Sequence, residues 1–165
     1  MHKLDILAFG AHPDDVELGC GGTLLGAVAE GKKVGVIDLT LGELGTRGTV
    51  EQRLKEAKNA AEIMGIGVRE NLGMADGFFE NNKANQLLII ETIRRFQPSI
   101  VFCNAPADRH PDHGRASKLV EDASFLAGLS KIETSHKGVA QLAWRPTQVF
   151  HYIQSRGLTP NFVVD

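Results

Sequence analysis

The chain has 165 residues, of which 42% are hydrophobic and 23% are charged, and its formal net charge is −2. This size and composition are typical of one globular domain with an ordinary core, here residues 1–165. No Lys/Arg stripe favours nucleic acid as a partner, and no apolar run is long enough to cross a bilayer. We therefore expect a cytoplasmic protein with no nucleic-acid or membrane partner, in which Cys20 and Cys103 are unpaired and buried.

The predicted elements alternate between strands and amphipathic helices. The predicted strands are Leu4–Phe9, Val34–Leu39, Val68–Met74, Ser99–Asn104, Gln148–Ile153 and Phe162–Val164. The predicted helices are Glu17–Glu30, Val50–Met64, Asn85–Phe96 and Gly114–Ala127. Thr49 and Gln52 form a capping box ahead of the second helix, and residues 130–141 are predicted to be irregular. The alternation predicts an α/β fold with a Rossmann-like doubly wound, mostly parallel sheet and helices on both faces.

The loop after the first strand carries His12, Pro13, Asp14 and Asp15. Pro13 has a fixed φ and biases His12 away from helical geometry, so this turn is stiff. His12 and Asp15 are candidate metal ligands, with a second carboxylate between them. A strand that leads into a rigid acidic loop and then a helix is therefore the first candidate functional segment.

A second segment, residues 108–114, follows the fourth predicted strand and carries His110 and His113 around a proline and an aspartate. Ligands bind beyond the carboxyl ends of the strands in a doubly wound sheet. Both polar loops are predicted to lie at that edge. We therefore expect the two loops to contribute to one site.

Together the two loops supply enough ligands for a catalytic divalent ion such as zinc, which takes three protein ligands and keeps one open position. His12, Asp15 and one of His110 and His113 would be the ligands. Asp14 would then be free to act as the general base, and the remaining histidine would act as an acid or support a ligand. Each motif taken alone also has a structural interpretation, since polar and acidic residues cap helix N-termini.

Two further functions are left open by the residues. One is another metal-dependent hydrolase, acting on a phosphoester or a different amide. The other is a non-catalytic Rossmann-like nucleotide-binding module. Gly19, Gly21 and Gly22 with Asp38 imitate a dinucleotide fingerprint, but Leu24 stands at its third glycine position, so close packing of the helix explains these glycines better.

Arginines and histidines outside the two loops carry less information. Arg47 and Arg53 flank a glycine-rich loop after the second strand, near the expected site, where guanidinium groups would bind an anionic part of a substrate. His2, His136 and His151 have no partner at metal-ligand spacing and are predicted to be surface or sheet residues.

The two loop motifs resemble those of the LmbE-like, or PIG-L, family of zinc-dependent N-acetylglucosamine deacetylases. The segments that carry this resemblance are Ala11–Asp15 and His110–His113. Weaker similarity extends along nearly the whole chain, through residues 38–48, Arg53, residues 118–120 and residues 160–162. The bacillithiol biosynthesis deacetylases, which remove acetate from N-acetylglucosaminyl-malate, are the most similar group.

The resemblance implies a role for each candidate residue. His12, Asp15 and His113 would be the zinc ligands, with ferrous iron as the alternative metal in the cell. Asp14 would be the general base that activates water. His110 would stabilise the oxyanion or protonate the leaving amine.

The resemblance also implies how the substrate is held. Arg53 would contact the anionic part of a small amino-sugar substrate, and Arg109, within the second motif, would have a supporting role. Members of the family usually continue beyond the point equivalent to Asp165. We therefore expect that this chain lacks the usual C-terminal extension, which would provide a pocket wall and the contacts of a homo-oligomer.

Overall fold

The structure, a computed structural model, describes residues 3–164. Its helices are α1 (Asp15–Ala29), α2 (Val50–Met64), α3 (Lys83–Phe96) and α4 (Pro111–Leu126). Its strands are β1 (Ile6–Gly10), β2 (Val34–Thr40), β3 (Val68–Met74), β4 (Ile100–Cys103), β5 (Ser135–His136), β6 (Val139–Ala140) and β7 (Gln148–His151). In this part of the chain no helix is both long and apolar enough to cross a membrane.

Five strands form one parallel sheet in the order β3-β2-β1-β4-β7. Successive side chains of β1 point to opposite faces. Leu7 and Phe9 join a core that includes residues of α3 and α4, whereas Ile6 and Ala8 join a core that includes residues of α1 and α2. Helices therefore cover both faces, and the predicted fold is confirmed. The strand order reverses between β1 and β4, where such sheets hold their ligands.

The boundaries of α2 agree with the prediction, whereas α3 begins at Lys83, two residues earlier than predicted, after its N-cap Asn82. α2 matches at both ends, because Thr49 Oγ1 accepts a hydrogen bond from Gln52 N at 3.2 Å and Gly65 adopts φ 69° at the C-cap. α1 and α4 begin at Asp15 and Pro111, earlier than predicted. Asp15 and residues 111–113, which the sequence predicts to be loop, form the first turns of these helices, where proline and acidic side chains are favourable.

The elements near the C-terminus are shorter than predicted. β7 pairs with β4 over Gln148–His151 and ends before Ile153. Among the described residues, Phe162–Val164 form no strand, so that prediction was wrong. The Phe162 ring packs edge-on against Phe150 at 5.1 Å, so the apolar run makes a side-chain contact instead of a backbone ladder.

Residues 130–141, predicted to be irregular, contain the short antiparallel pair β5 and β6. Lys137 and Gly138 connect these strands with positive φ angles of 51° and 78°, as a tight hairpin turn requires. Arg94 is buried on α3 and binds the segment of residues 127–132, which precedes β5. Its guanidinium donates to the main-chain carbonyls of Ala127, Leu129 and Ile132.

Close packing explains Gly19 of α1, as predicted, but a Cβ on Gly22 would meet nothing within 4 Å. A Cβ on Gly19 would lie 2.3 Å from the Tyr152 ring, whose hydroxyl donates to the Phe9 carbonyl at 2.9 Å. Cys20 and Cys103 are buried and unpaired, as expected, and burial raises the pKa of the Cys20 thiol to about 12. Both thiols are therefore poor nucleophiles at neutral pH.

Candidate active site

A cavity of about 650 Å³ opens at the carboxyl edge of the sheet, where the loops after β1 and β4 meet. Its wall contains all five residues that the two motifs single out as ligands or catalysts: His12, Asp14, Asp15, His110 and His113. In the sequence these two groups are almost one hundred residues apart. The parallel sheet brings them together because β1 and β4 are neighbours.

His12 has a carboxylate partner on each side of its ring. Its Nδ1 lies 3.4 Å from Asp15 Oδ2, while its Nε2 lies 3.0 Å from Asp76 Oδ1 and 3.3 Å from Asp112 Oδ2. Burial by itself would lower the pKa of His12, but the hydrogen bond with Asp15 and the charges of all three carboxylates raise it to about 9. Asp76 and Asp112 can both accept a hydrogen bond from Nε2, and this arrangement orients the ring with Nδ1 towards Asp15.

His113 faces Asp15 from α4. Its Nε2 lies 3.2 Å from Asp15 Oδ1, and its Nδ1 lies 3.2 Å from Asp108 Oδ1, within ion-pair range but outside hydrogen-bond geometry. Burial would raise the pKa of Asp15, but its hydrogen bonds with His113 and His12 hold that pKa well below its usual range. A buried carboxylate thus stays ionised between two imidazole rings.

The second motif contributes its two histidines in different ways. One nitrogen each of His12, His110 and His113 lies within 4.8 Å of the others, so all three could reach one ion. His110, however, is the N-cap of α4, and its Nδ1 accepts a hydrogen bond from Asp112 N at 3.3 Å. His113 contacts Asp15 directly. The structural interpretation of His110 as a helix cap is therefore correct, and it coexists with a position in the cavity wall.

Asp14 is held in an unusual backbone conformation. It is the N-cap of α1 at φ 140°, and its side chain makes no capping hydrogen bond. A non-glycine residue at such a φ costs free energy, and strain of this kind is common at functional sites. Partial desolvation and the neighbouring charge of Asp15 raise the pKa of Asp14, while Arg53 and His12 oppose that shift. The carboxylate faces the cavity with basicity above that of an ordinary aspartate.

The three candidate arginines occupy different places. Arg53 lines the main cavity and also an adjoining cavity of about 460 Å³. Its guanidinium packs closely against the glycine-rich loop: a Cβ on Gly42 would lie 2.7 Å from Nη1, and one on Gly45 would lie 3.0 Å from Nη2. Arg109 is exposed at the rim of the main cavity. Arg47 is exposed and lines the adjoining cavity only.

Of the histidines outside the motifs, His136 and His151 do not line the main cavity. His136 is on β5 and His151 on β7, whereas His2 lies outside the described residues. Among residues 3–164, neither His136 nor His151 belongs to a cluster of candidate metal ligands.

Sequence reasoning missed Asp76 and the part played by Asp112. Asp76 Oδ2 accepts a hydrogen bond from Leu44 N at 2.9 Å, which leaves Oδ1 for His12. Asp112 Oδ2 accepts from Gly77 N at 2.8 Å and Oδ1 from Arg115 at 2.7 Å. Asp76 follows β3 at the carboxyl edge of the sheet, and this position is the signal that would have identified it.

The arrangement can hold one divalent ion. His12 Nδ1 and His113 Nε2 lie beside different oxygens of the Asp15 carboxylate, and two imidazoles with one carboxylate are a common zinc ligand set. Asp76 and Asp112 behind His12 are the carboxylate partners that metal-ligating histidines usually have. The donor chemistry therefore fits a metal centre.

Comparison with known proteins relates the chain to one family. Residues 7–124 match the family model described as PIG-L, GlcNAc-PI de-N-acetylase. The conserved protein TT1542 from Thermus thermophilus superposes with a TM-score of 0.88 at 43% identity, over 96% of this chain and 70% of that one.

The curated relatives include proteins with functional names. The diacetylchitobiose deacetylase of Thermococcus kodakarensis is 32% identical over 97% of this chain and 62% of its own length. A probable N-acetyl-α-D-glucosaminyl L-malate deacetylase 2 of Bacillus anthracis is 30% identical over 72% of this chain and 58% of its own. The chain thus spans about three fifths of the length of these relatives. The resemblance seen in the motifs is confirmed: this chain belongs to the PIG-L family of GlcNAc de-N-acetylases.

Proposed function

We propose that this protein is a metal-dependent deacetylase that hydrolyses the acetamide of an N-acetylglucosaminyl substrate to acetate and a free amine. The observation that carries the proposal is the convergence of His12, Asp15 and His113 in one cavity, with Asp14 and His110 in the same wall. Its membership of the PIG-L family and the deacetylase names of its relatives support the same reaction.

In this proposal His12, Asp15 and His113 hold zinc, or ferrous iron in the cell. When bound, such an ion polarises a carbonyl group and lowers the pKa of water. Asp14 accepts the proton of the attacking water, a task that suits its raised pKa. The water oxygen is added to the acetyl carbon, the carbon–nitrogen bond breaks, and His110 delivers a proton to the departing amine.

For the substrate we propose N-acetylglucosaminyl-malate. Arg53 between the two cavities supports an anionic group next to the amino sugar, and the exposed Arg109 and Arg47 add positive charge around the two cavities. Among residues 3–164 none of these arginines forms an ion pair within the protein. Diacetylchitobiose, the substrate named for one relative, is neutral and would not use this charge.

The test of the reaction measures metal content and amine release together, in wild type, Asp14→Asn and His113→Ala. We expect about one zinc per chain and amine release in wild type. Asp14→Asn should retain the metal and lose about 100-fold or more of kcat, whereas His113→Ala should lose the metal. Wild-type protein that binds no supplied zinc, or releases no amine from any N-acetylglucosaminyl compound, would contradict the proposal.

The test of the substrate compares N-acetylglucosaminyl-malate with diacetylchitobiose. Arg53→Ala should raise KM for the malate conjugate about tenfold or more, because a charge-assisted hydrogen bond is lost, and should leave KM for diacetylchitobiose nearly unchanged. Arg145→Ala is the matched control, since Arg145 is exposed and lines neither of the two cavities. Equal effects of Arg53→Ala on both substrates would argue against an acidic aglycone.

One observation favours a second candidate, a two-metal hydrolase acting on a phosphoester. His12 Nε2, Asp76 and Asp112 form another cluster of atoms within 4.8 Å of one another. Leu44 N already occupies the other oxygen of Asp76, and Arg115 occupies the other oxygen of Asp112, so this cluster is better explained as support for His12. A ratio of two metals per chain, with phosphoester cleavage, would select the second candidate.

A further inference from the structure

Asp15 is the one carboxylate among the three proposed metal ligands. A neutral amide side chain donates a hydrogen bond to each of its two oxygens. Asn104 Nδ2 donates to Oδ2 at 3.1 Å, and Gln154 Nε2 donates to Oδ1 at 2.8 Å. The main-chain N–H of His12 also donates to Oδ2, at 3.0 Å. These hydrogen bonds therefore oppose both rotation and displacement of the Asp15 carboxylate.

The two amide side chains belong to residues that follow different strands of the sheet. Asn104 directly follows β4, and Gln154 lies three residues beyond the end of β7. Asn104 is fully buried, and its Oδ1 accepts a hydrogen bond from Ala11 N at 3.0 Å, which ties the β4 loop to the β1 loop. The same residue that joins the two motif loops thus also orients the carboxylate between them.

Gln154 has no structural role comparable to the link that Asn104 makes to Ala11. Its bond to Asp15 is the one side-chain hydrogen bond that it makes among residues 3–164, and its Oε1 is buried without a partner. Leaving an acceptor unpaired costs free energy. The amide cannot turn over to relieve this, because its oxygen would then face the carboxylate. The position of Gln154 is therefore best explained by what it does for Asp15.

A second buried aspartate shows the alternative way of holding such a group. Asp38 lies on the core strand β2, and Arg69 binds it with two hydrogen bonds of 2.8 Å and 2.9 Å. The guanidinium cancels the charge of Asp38, so that carboxylate is unavailable to a cation. Amide donors orient Asp15 and leave its negative charge intact.

We propose that Asn104 and Gln154 are positioning residues that preorganise Asp15 as a metal ligand. The inference rests on the proposed metal centre and extends it to two residues outside both motifs. Supporting hydrogen bonds to a ligand typically contribute about 10- to 100-fold to metal affinity. The effect belongs to the metal-binding step, so it can be measured without turnover.

The experiment measures the zinc dissociation constant by competition with a chromophoric chelator, and the unfolding midpoint of each protein in EDTA. Gln154→Met should weaken zinc binding about tenfold or more, while its metal-free unfolding midpoint stays at the wild-type value. Asn104→Ala should weaken zinc binding at least as much and should also lower the metal-free midpoint, because the bond to Ala11 is lost.

Gln141→Met is the matched control. Gln141 is also half-buried, its Nε2 donates to the Glu91 carbonyl at 2.9 Å, and its Oε1 likewise has no partner. This control should bind zinc as wild type does. Equal zinc affinity of Gln154→Met and wild type would overturn the inference and leave the metal centre standing. Absence of zinc binding in wild type would overturn the proposed function and the inference with it.

Discussion

The loops after β1 and β4 carry nearly the same residues but enter their helices in different registers. In the first loop, His12 and Pro13 precede the helix, Asp14 is the N-cap and Asp15 is the first helical residue. In the second loop, His110 is itself the N-cap and Pro111 is the first helical residue. The His-Pro-Asp pattern is thus displaced by two positions relative to the helix start.

Because of this displacement, equivalent side chains of the two loops make different contacts. His12, which lies outside the helix, presents both ring nitrogens to carboxylates. His110 uses Nδ1 to cap α4. Asp14 is forced to φ 140°, whereas His110 has an ordinary φ of −83°. In the proposed site, one short motif therefore provides a metal ligand and a strained base in one loop, and a helix cap and a metal ligand in the other.

The largest expected effect separates capping from catalysis at His110. His110→Asn keeps a side-chain acceptor at the N-cap, so the stability of α4 should be retained. Amine release should nevertheless fall about 100-fold or more, because the proton donor is lost. His110→Ala should show the same loss of kcat with lower stability as well. Wild-type turnover in His110→Asn, measured by steady-state kinetics, would reduce His110 to a cap.

The next effect concerns His12 in the metal-free protein. Its pKa of about 9 lies above the ordinary value of 6.5, so protonated His12 stabilises the fold fully below pH 6.5. This contribution, at most about 3.5 kcal/mol, is lost as the pH rises from 6.5 through 9. Urea unfolding in EDTA should show the decline in wild type and a flatter profile in His12→Gln.

His110→Gln is the control for the pH dependence of unfolding, because the pKa of His110 is shifted in the opposite direction to that of His12. Burial and the charges of His12 and His113 lower its pKa, so it opposes folding as the pH falls instead of supporting it. His110→Gln should therefore leave the decline above pH 6.5 in place. Parallel profiles for wild type and His12→Gln would show that His12 is not the group responsible.

The smallest effect compares the same substitution at the two N-caps. Asp14→Gly should raise the free energy of unfolding of the metal-free protein by about 1 kcal/mol, because glycine adopts φ 140° without strain and repulsion from Asp15 is removed. His110→Gly should lower it by a few tenths of a kcal/mol, because an unstrained cap is lost. Chemical denaturation at pH 7 measures both. Changes of the same sign would contradict the difference in strain.

Local sequence predicted those features that depend on neighbours in the chain. The bounds of α2 follow from Thr49, Gln52 and Gly65, which act within one turn of the helix ends. Alternation of strands and helices was sufficient for the sheet type, because few other arrangements bury such strands. The start of α1 was misplaced, since nothing adjacent to Asp14 signals a φ of 140°.

The sequence by itself determined the fold class, the family and the five motif residues, because each of them can be predicted from short patterns along the chain. Only the tertiary structure decided which ring nitrogen of His12 faces Asp15. That choice depends on Asp76 and Asp112, which lie far from His12 in the sequence and reach it through the packing of β3 and α4 at the sheet edge. Orientation of ligands is a long-range property, whereas their presence is a local one.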